Sequence, residues 1–418
     1  MLAEELLPDD VPVPVDEPPP LPPLTLRDGL PDVIETPEAL NEAVSALATG
    51  SGPVAVDTER ASGYRYGQRA YLIQLRRAGA GTQLIDPIAV PGVPGLAEVL
   101  DGPEWILHAA SQDLPCLAEL GLRPASLFDT ELAGRLLGMP RVGLAPMVEE
   151  LLAVTLAKGH GAADWSKRPL PADWLEYAAL DVEVLIELRD VLCDRLAESG
   201  KLEWAEQEFA AIRDAPPPAP RPDPWRRTSG IHRVRSRRGL AIVAHLWHAR
   251  DQVARDADSA PGRLLPDSSI AAAGHALPRD ASALLALRDF HGRGASRYRR
   301  QWGDALSAAW AVPDPELPLA GNRSDDPPPA RAWAQRDPVA AARLDRARSA
   351  LGARAEGLSL PVENLLTPDV VRRLMWAPPP EALDDPAAVA AFLTANGARP
   401  WQIEQCAPLL ADALRPTD

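Results

Sequence analysis

Proline-rich segments divide this 418-residue chain more decisively than any other feature of its sequence. Proline fixes φ and lacks a backbone N–H, so a dense run of prolines cannot continue a helix or a central strand. Three such segments predict a disordered or extended acidic tail and three folded modules joined by two linkers. The predicted divisions are a tail at 1–24, a body at 25–213, a linker at 214–224, a module at 225–312, a linker at 313–330 and a module at 331–415.

The charge of the chain changes sign at these linkers. Residues 1–218 carry 16 basic and 36 acidic side chains, and residues 301–418 carry 11 and 16. Residues 219–300 instead carry 16 arginines and 7 aspartates, so the formal net charge of −16 conceals a basic middle module. Such a module indicates either a phosphate-binding surface or a solvated helical face.

Several classes of protein are excluded by composition. No apolar run approaches the roughly 18 residues that a membrane-spanning helix needs. The first residues, MLAEELLPDD, lack the basic region and apolar core of a signal peptide. Cys116, Cys193 and Cys406 are scattered, which argues against a disulfide framework or a cysteine-based zinc site. We therefore expect a cytoplasmic protein without a membrane partner.

The body at 25–213 alternates strand and helix patterns, which predicts an α/β domain with a mixed sheet. A capped amphipathic helix is predicted first, then a meander of three strands, a buried strand followed by a helix, and a nearly continuous helix. Their predicted ranges are 36–50, then 53–59, 70–76 and 82–87, then 105–110, and finally 175–208.

The two later modules lack strand periodicity and are predicted to be all-α. In the middle module, helices are expected at 239–256, 268–276, 280–288 and 296–311. The last module has a similar layout, from a helix at 337–357 to a final helix at 401–415. The pattern indicates an approximate repeat of one helical module.

Acidic residues recur at the ends of predicted elements in the body. Asp57 and Glu59 lie in VAVDTER, and residues i and i+2 of a strand project to the same face. Two such acids are costly at the end of an apolar strand unless a cation lies between them. Oxygen ligands suit magnesium or manganese rather than zinc. The alternative is an exposed strand end with solvated acids.

Three further side chains extend this pattern. Asp113 follows the buried strand, where an acid can also be a helix cap. Asp181 lies on a predicted helix, and Tyr177, four residues earlier, shares its face. Together these positions offer four carboxylates and one phenol.

The segments AVDTERASGYRYGQRAYLIQLRR, HAASQDLPCL, TLAKGHGAADWSKRPLP and EYAALDVEVL resemble the exonuclease motifs and flanking segments of ribonuclease D, in the DEDD superfamily of 3′→5′ exonucleases. The tyrosine variant of the third motif is present, and all five positions match in order and spacing. The modules at 225–312 and 331–415 resemble HRDC domains, the second only weakly. The resemblance implies an α/β ribonuclease H-like exonuclease domain followed by two all-α HRDC-like modules.

The resemblance also implies an activity. A ribonuclease D-like enzyme removes 3′ nucleotides from RNA such as transfer-RNA precursors and releases nucleoside 5′-monophosphates. Two divalent metal ions, Mg²⁺ or Mn²⁺, would be held by Asp57, Glu59, Asp113 and Asp181, without a small-molecule cofactor. Tyr177 would orient the attacking water, because a phenol with an ordinary pKa near 10 is a poor base at neutral pH.

Several residues around the acidic positions are candidates to contact the substrate. His108 and Gln112 flank Asp113 and are candidates to contact the terminal nucleotide, although a histidine in an apolar strand is also a common core residue. Trp165 is a candidate to stack a base, with Lys167 and Arg168 meeting phosphates. The alternative is a core tryptophan beside a surface arginine. A further expectation is that the substrate groove is shaped by Tyr64, Tyr66 and Arg69.

Arginine runs at 226–238 and 292–300 are expected to bind the RNA backbone, as the HRDC resemblance implies. The acidic balance of the last module favours a packing role for it. Two alternatives compete with the RNA exonuclease: a DNA-directed 3′→5′ exonuclease and a catalytically inactive nucleic-acid-binding scaffold. The lack of a polymerase or helicase segment favours RNA, and the four carboxylates argue against an inactive scaffold.

Overall fold

The computed structural model describes residues 20–157, 159–217, 219–319, 326–383 and 385–415. Most of the tail predicted at 1–24 lies outside the described residues. Its last part is paired with Thr155, whose N–H donates to the Pro22 carbonyl at 2.9 Å and whose carbonyl accepts from the Leu24 N–H at 2.8 Å. Residues 22–24 therefore take the extended form that was one of the two expected for this tail.

A six-stranded mixed sheet forms the centre of the first domain, with strand order β1-β4-β3-β2-β5-β6. Strands β2, β3 and β4 pair antiparallel, whereas β1, β5 and β6 add in parallel. The strands are β1 Val33–Ile34, β2 Ser51–Arg60, β3 Ala70–Ala78, β4 Gly81–Ile85, β5 Glu104–Leu107 and β6 Ser126–Asp129. The predicted meander is confirmed, while β1 and β6 are too short to show a period in the sequence.

Eight α-helices surround this sheet in the described part of the domain. They are α1 Pro37–Thr49, α2 Leu96–Leu100, α3 Leu114–Glu119, α4 Thr130–Leu136, α5 Leu144–Leu152, α6 Ala172–Glu183, α7 Leu185–Glu198 and α8 Leu202–Arg213. The Thr36 side chain caps α1 by accepting from the Ala39 N–H, as the sequence predicts. The nearly continuous helix predicted at 175–208 is divided into α6, α7 and α8, because the helix breaks at Val184 and again at Gly200, where φ is +69°.

The later modules are all-α, as predicted. The middle one contains α9 Arg237–Asp256, α10 Pro261–Leu264, α11 Asp267–Ala276, α12 Ala281–Leu285, α13 Arg293–Arg297 and α14 Arg299–Ala311. The last contains α15 Trp333–Arg336, α16 Pro338–Gly357, α17 Val362–Leu365, α18 Pro368–Trp376, α19 Pro386–Ala395 and α20 Pro400–Leu414. Among the described helices, none combines the length and apolar character needed to cross a membrane.

The last module shares one hydrophobic core with the sheet domain, whereas the middle module has its own. Trp401 stacks on Trp204 of α8 with ring centroids 4.7 Å apart. Its indole Nε1 donates to Glu208 at 2.9 Å, and Arg399 donates to the same carboxylate at 2.6 Å. The packing role expected from the charge of this module is therefore supported.

The middle module contacts the sheet domain through polar groups. Arg69 donates to Asp258 at 2.7 Å, the Tyr66 hydroxyl donates to Asp251 at 3.2 Å, and the Ala260 N–H donates to the Tyr64 carbonyl at 3.0 Å. The residues expected to shape a substrate groove lie instead at this interface. The segment 61–69, which connects β2 to β3, thus packs against the middle module.

Candidate active site

The carboxylates of three predicted site residues meet beside the sheet. Strand β2 directs Asp57 and Glu59 to one face, and α6 packs across β2, β3 and β4 on that face, carrying Asp181. Each of the three offers an oxygen, and these oxygens all lie within 4.8 Å of one another. Glu59 and Asp181 are buried and Asp57 is half-buried. The alternative of solvated acids at a strand end is therefore wrong.

Asp113 lines the same cleft but lies outside this close group of described residues. Its Oδ1 accepts a hydrogen bond of 2.6 Å from the Thr58 hydroxyl. Its side chain makes no capping hydrogen bond at the start of α3, so the helix-cap alternative does not apply. The chain reaches it through Ala109, whose φ of +61° turns the backbone away from β5.

Burial is the main cause of raised pKa values across the cluster. It raises the pKa of Asp57 well above its ordinary value, with added repulsion from Asp113, Asp181 and Glu59. The pKa of Glu59 is raised to about 8, that of Asp181 to about 7 and that of Asp113 to about 6, again mainly by burial. Because these carboxylates disfavour joint ionisation, the site fits a cationic occupant.

Tyr177 projects from α6 one turn before Asp181. Burial raises the pKa of its hydroxyl above the ordinary value, and the Asp181 and Glu59 carboxylates raise it further. The phenol therefore stays protonated at neutral pH, and its interaction with Asp181 lowers the pKa of that carboxylate. It can orient a ligand by donating a hydrogen bond but cannot be the base.

His108 and Gln112 also line the cleft, which has a volume of about 450 Å³. His108 Nδ1 lies 2.9 Å from the Thr130 hydroxyl, and burial lowers its pKa to about 4, so the ring is neutral. The side chain of Gln112 is exposed. Both residues thus occupy the cleft in which they were predicted to act.

Trp165 and Arg168 have structural roles, which corrects the prediction that they contact substrate. Trp165 is 0% exposed, packs in the core beneath α6 and donates from Nε1 to the His160 carbonyl. The Arg168 guanidinium donates to the buried Asp86 carboxylate and to the Tyr71 carbonyl. Lys167 is exposed, with Nζ 5.8 Å from the Trp174 ring centroid.

Sequence reasoning did not single out Arg60, which follows Glu59 directly. One guanidinium nitrogen donates to the Gln112 carbonyl at 2.8 Å, and another lies 4.0 Å from Asp113 Oδ1. Its charge lowers the pKa of Asp113 and of Glu59. Arg60 also lines an adjoining cleft with Ser62, Gly63 and Gln68. The sequence did carry a signal for Arg60, because this cationic residue directly follows the paired acids Asp57 and Glu59.

The arginine run at 226–238 is only partly free to bind RNA. Arg237 donates to the Pro315 and Pro318 carbonyls, and Arg238 donates to the Ala309 and Val312 carbonyls. These two arginines hold the following linker against the module. The exposed arginines that remain on the two runs are Arg227, Arg233, Arg235, Arg293, Arg297, Arg299 and Arg300.

Three family models match successive parts of the chain. Residues 31–197 match a model described as 3′-5′ exonuclease, and residues 239–306 match the HRDC domain. Residues 326–414 match a model described as the 3′ to 5′ exonuclease C-terminal domain. Our prediction that this last module is a divergent HRDC-like domain therefore stays a prediction.

Individual relatives cover most of the chain. Ribonuclease D of Gluconacetobacter diazotrophicus is 33% identical over 321 residues, which span 74% of this chain and 80% of the relative. A solved protein from Bifidobacterium adolescentis superposes with a TM-score of 0.86 at 39% identity, covering 94% of this chain and 99% of the other. Escherichia coli RNase D, described as an exoribonuclease involved in structured RNA processing, superposes with a TM-score of 0.68 at 25% identity, covering 92% and 98%.

Proposed function

The chain belongs to the ribonuclease D family of 3′→5′ exoribonucleases, and we propose that its acidic cleft hydrolyses the last phosphodiester bond of an RNA strand. The observation that carries this proposal is the meeting of Asp57, Glu59 and Asp181 within 4.8 Å. The family membership favours RNA over a DNA-directed exonuclease. The retained carboxylates argue against an inactive scaffold.

The cleft residues fit divalent cations. Every donor in the cluster is a carboxylate oxygen, the ligand that Mg²⁺ and Mn²⁺ prefer, and the raised pKa values reflect a shortage of positive charge. We propose two ions, held by Asp57, Glu59 and Asp181 with Asp113 beside them. When bound, such ions supply positive charge for the attacking water and the leaving 3′ oxygen.

Side chains around the carboxylates orient the attacking water and the terminal nucleotide. The protonated Tyr177 hydroxyl donates a hydrogen bond to the attacking water, and Asp181 helps to hold the same water. Neutral His108 and exposed Gln112 form the wall where the terminal nucleotide binds, and Arg60 and Lys167 offer cations to its phosphates. Each cycle releases a nucleoside 5′-monophosphate, and the proposed substrates are structured RNAs such as transfer-RNA precursors.

A labelled-substrate assay tests the reaction. A 5′-labelled single-stranded RNA and its DNA equivalent are incubated with the full chain and Mg²⁺, Mn²⁺ or EDTA. We expect a ladder of shortened RNA with either metal and none with EDTA. Preferential shortening of the DNA would support the DNA-directed alternative, and no cleavage in any lane would support the inactive scaffold.

Substitution of the carboxylates tests the site. Asp57→Asn or Asp181→Asn removes a charged ligand at nearly constant volume, so activity should fall by at least about 10³-fold, on the scale of roughly 4 kcal/mol in transition-state stabilisation. The folded state should persist, as judged by circular dichroism. Parental cleavage by either purified variant would refute the assignment.

A further inference from the structure

Gln74 has a fully buried side-chain amide that the described residues leave without a hydrogen bond. It lies in the middle of β3 and is 0% exposed. Neither its Oε1 nor its Nε2 has a partner among the described residues. A buried polar group in this state opposes folding, so its presence in a core strand calls for a compensating role.

The strand register places Gln74 directly opposite Asp57. The β2–β3 pairing is regular from Val54 to Glu59, with Asp57 opposite Gln74. Directly opposed residues project to the same face of the sheet, with Cβ atoms about 5 Å apart. On its other side Gln74 is opposite Leu84 of β4, which is apolar and fully buried. Of its two cross-strand neighbours, only Asp57 can accept a hydrogen bond.

The residues next to Gln74 along β3, and the alanines of α6 above it, do not accept a hydrogen bond from its amide. Helix α6 covers the face and contributes the buried Ala178 and Ala179 to its core. Arg76, two residues along β3, has its guanidinium engaged by the Thr82 hydroxyl at 2.9 Å and by Glu183 at 3.1 Å. Leu72, two residues in the other direction, is apolar. Among the strand residues that flank Gln74 on this face, Asp57 is therefore the one whose carboxylate can accept from the amide.

We propose that Gln74 is a positioning residue for Asp57, donating from Nε2 to the carboxylate oxygen that faces away from the cation when the site is loaded. This inference rests on the proposed function of the cleft. A carboxylate that ligates a cation must be held in one orientation. A hydrogen bond from a neighbouring residue that does not itself touch the cation can hold it there.

The test uses Gln74→Met, which keeps the length of the side chain and removes both polar atoms. Without metal, the thermal midpoint of the variant should equal or exceed that of the parent, because an unpaired buried amide has been removed. Its affinity for Mn²⁺, measured by titration calorimetry on the full chain, should be about tenfold weaker. We expect kcat on RNA to fall while KM is unchanged.

Leu84→Met is the matched control, because it changes the other cross-strand neighbour of Gln74 at similar volume. It should leave Mn²⁺ affinity unaltered. Gln74→Leu provides a second apolar variant should Gln74→Met fail to fold. Mn²⁺ affinity within twofold of the parent in an active Gln74 variant would overturn the positioning role and leave the proposed function intact. A loss of affinity matched by a lower metal-free midpoint would also reject it, as general core damage. A parent that neither binds Mn²⁺ nor cleaves RNA would overturn the proposed function itself.

Discussion

At the scale of single residues, the site is a set of carboxylates whose ionisation the protein alone does not support. Glu59 and Asp181 are buried beside each other, and burial raises the pKa of each by more than neighbouring charges do. Tyr177 responds to the same acids by staying protonated. These residues can therefore hold a cation beside the protonated Tyr177 hydroxyl.

Removing the Tyr177 hydroxyl should slow the chemistry and leave binding intact. Tyr177→Phe keeps the ring packed and deletes the donor that orients water, so the single-turnover rate with excess enzyme should fall by roughly 10- to 100-fold, or about 1.4–3 kcal/mol. RNA affinity, measured by filter binding in Ca²⁺, should remain at the parental value. An unchanged single-turnover rate would remove the water-orienting role.

Metal-free protein should lose stability as the pH rises. The pKa of Glu59 is raised from 4.5 to about 8 and that of Asp181 from 3.8 to about 7, so the folded state holds these protons where the unfolded chain has lost them. The stabilising contribution is complete below about pH 4 and declines until about pH 8, at up to about 1.4 kcal/mol per unit of pKa difference. Thermal midpoints in EDTA should therefore fall between pH 5 and pH 8.

The matched control is Asp181→Asn, which removes one of the titrating groups and should flatten that decline. Adding Mn²⁺ to the parent at pH 8 should restore the midpoint, because the cation replaces the lost protons. A metal-free midpoint that rises across the same range would contradict the sign of these shifts.

At the scale of elements, the rim of the cleft depends on a close approach between a loop and α6. The loop around Gly159 passes so near the Tyr177 ring that a Cβ on Gly159 would lie 2.0 Å from it. A Cβ on Gly161 would lie 3.7 Å from the Tyr177 hydroxyl, which is an ordinary van der Waals contact. Local backbone geometry therefore fixes where the phenol stands.

Gly159→Ala should displace Tyr177 or the loop and reduce kcat by about tenfold or more, because a misplaced hydroxyl no longer orients the water. Gly161→Ala is the control and should stay near the parental rate. Steady-state kinetics on a labelled RNA measures both. Equal rates for the two variants would show that the approach at Gly159 has no part in placing the phenol.

At the scale of the whole molecule, the three modules differ in how they pack and in the charge that they expose. The last shares its core with the exonuclease domain through Trp401 and Trp204, so a deletion of residues 219–418 would also uncover α8. The middle module keeps a separate core and carries the exposed arginines. The exposed arginines of the two runs and the core shared with the exonuclease domain thus lie in different modules.

Exposed arginines of the middle module should contribute to RNA affinity without supporting the fold. The double change Arg233→Ala with Arg235→Ala should weaken RNA binding and lower the salt dependence of affinity by about two phosphate contacts. Arg238→Ala instead removes donors to the Ala309 and Val312 carbonyls and should lower the thermal midpoint. Fluorescence anisotropy across a salt series and thermal melts measure both. Unchanged affinity in the double variant at low salt would exclude these residues from the RNA surface.

Much of the fold and the acidic cluster could be predicted because their signals are local. Alternation along VAVDTER placed two acids on one face, helical spacing placed Tyr177 with Asp181, and the long helices α9 and α16 of the later modules were found at the expected places. These are patterns within one turn or one strand. The short strand β6 and the break at Val184 carry too few residues to show a period.

Residue types, their order and local periodicity specify the carboxylates, the phenol and the basic module, so the sequence is enough to predict the class of chemistry. The folded structure sets the contacts that individual side chains make. It buried Trp165, engaged Arg168 and Arg238 in structural hydrogen bonds, and placed Gln74 opposite Asp57. Each of these outcomes depends on packing or pairing with groups outside the residue's own turn or strand, and local periodicity does not encode such contacts.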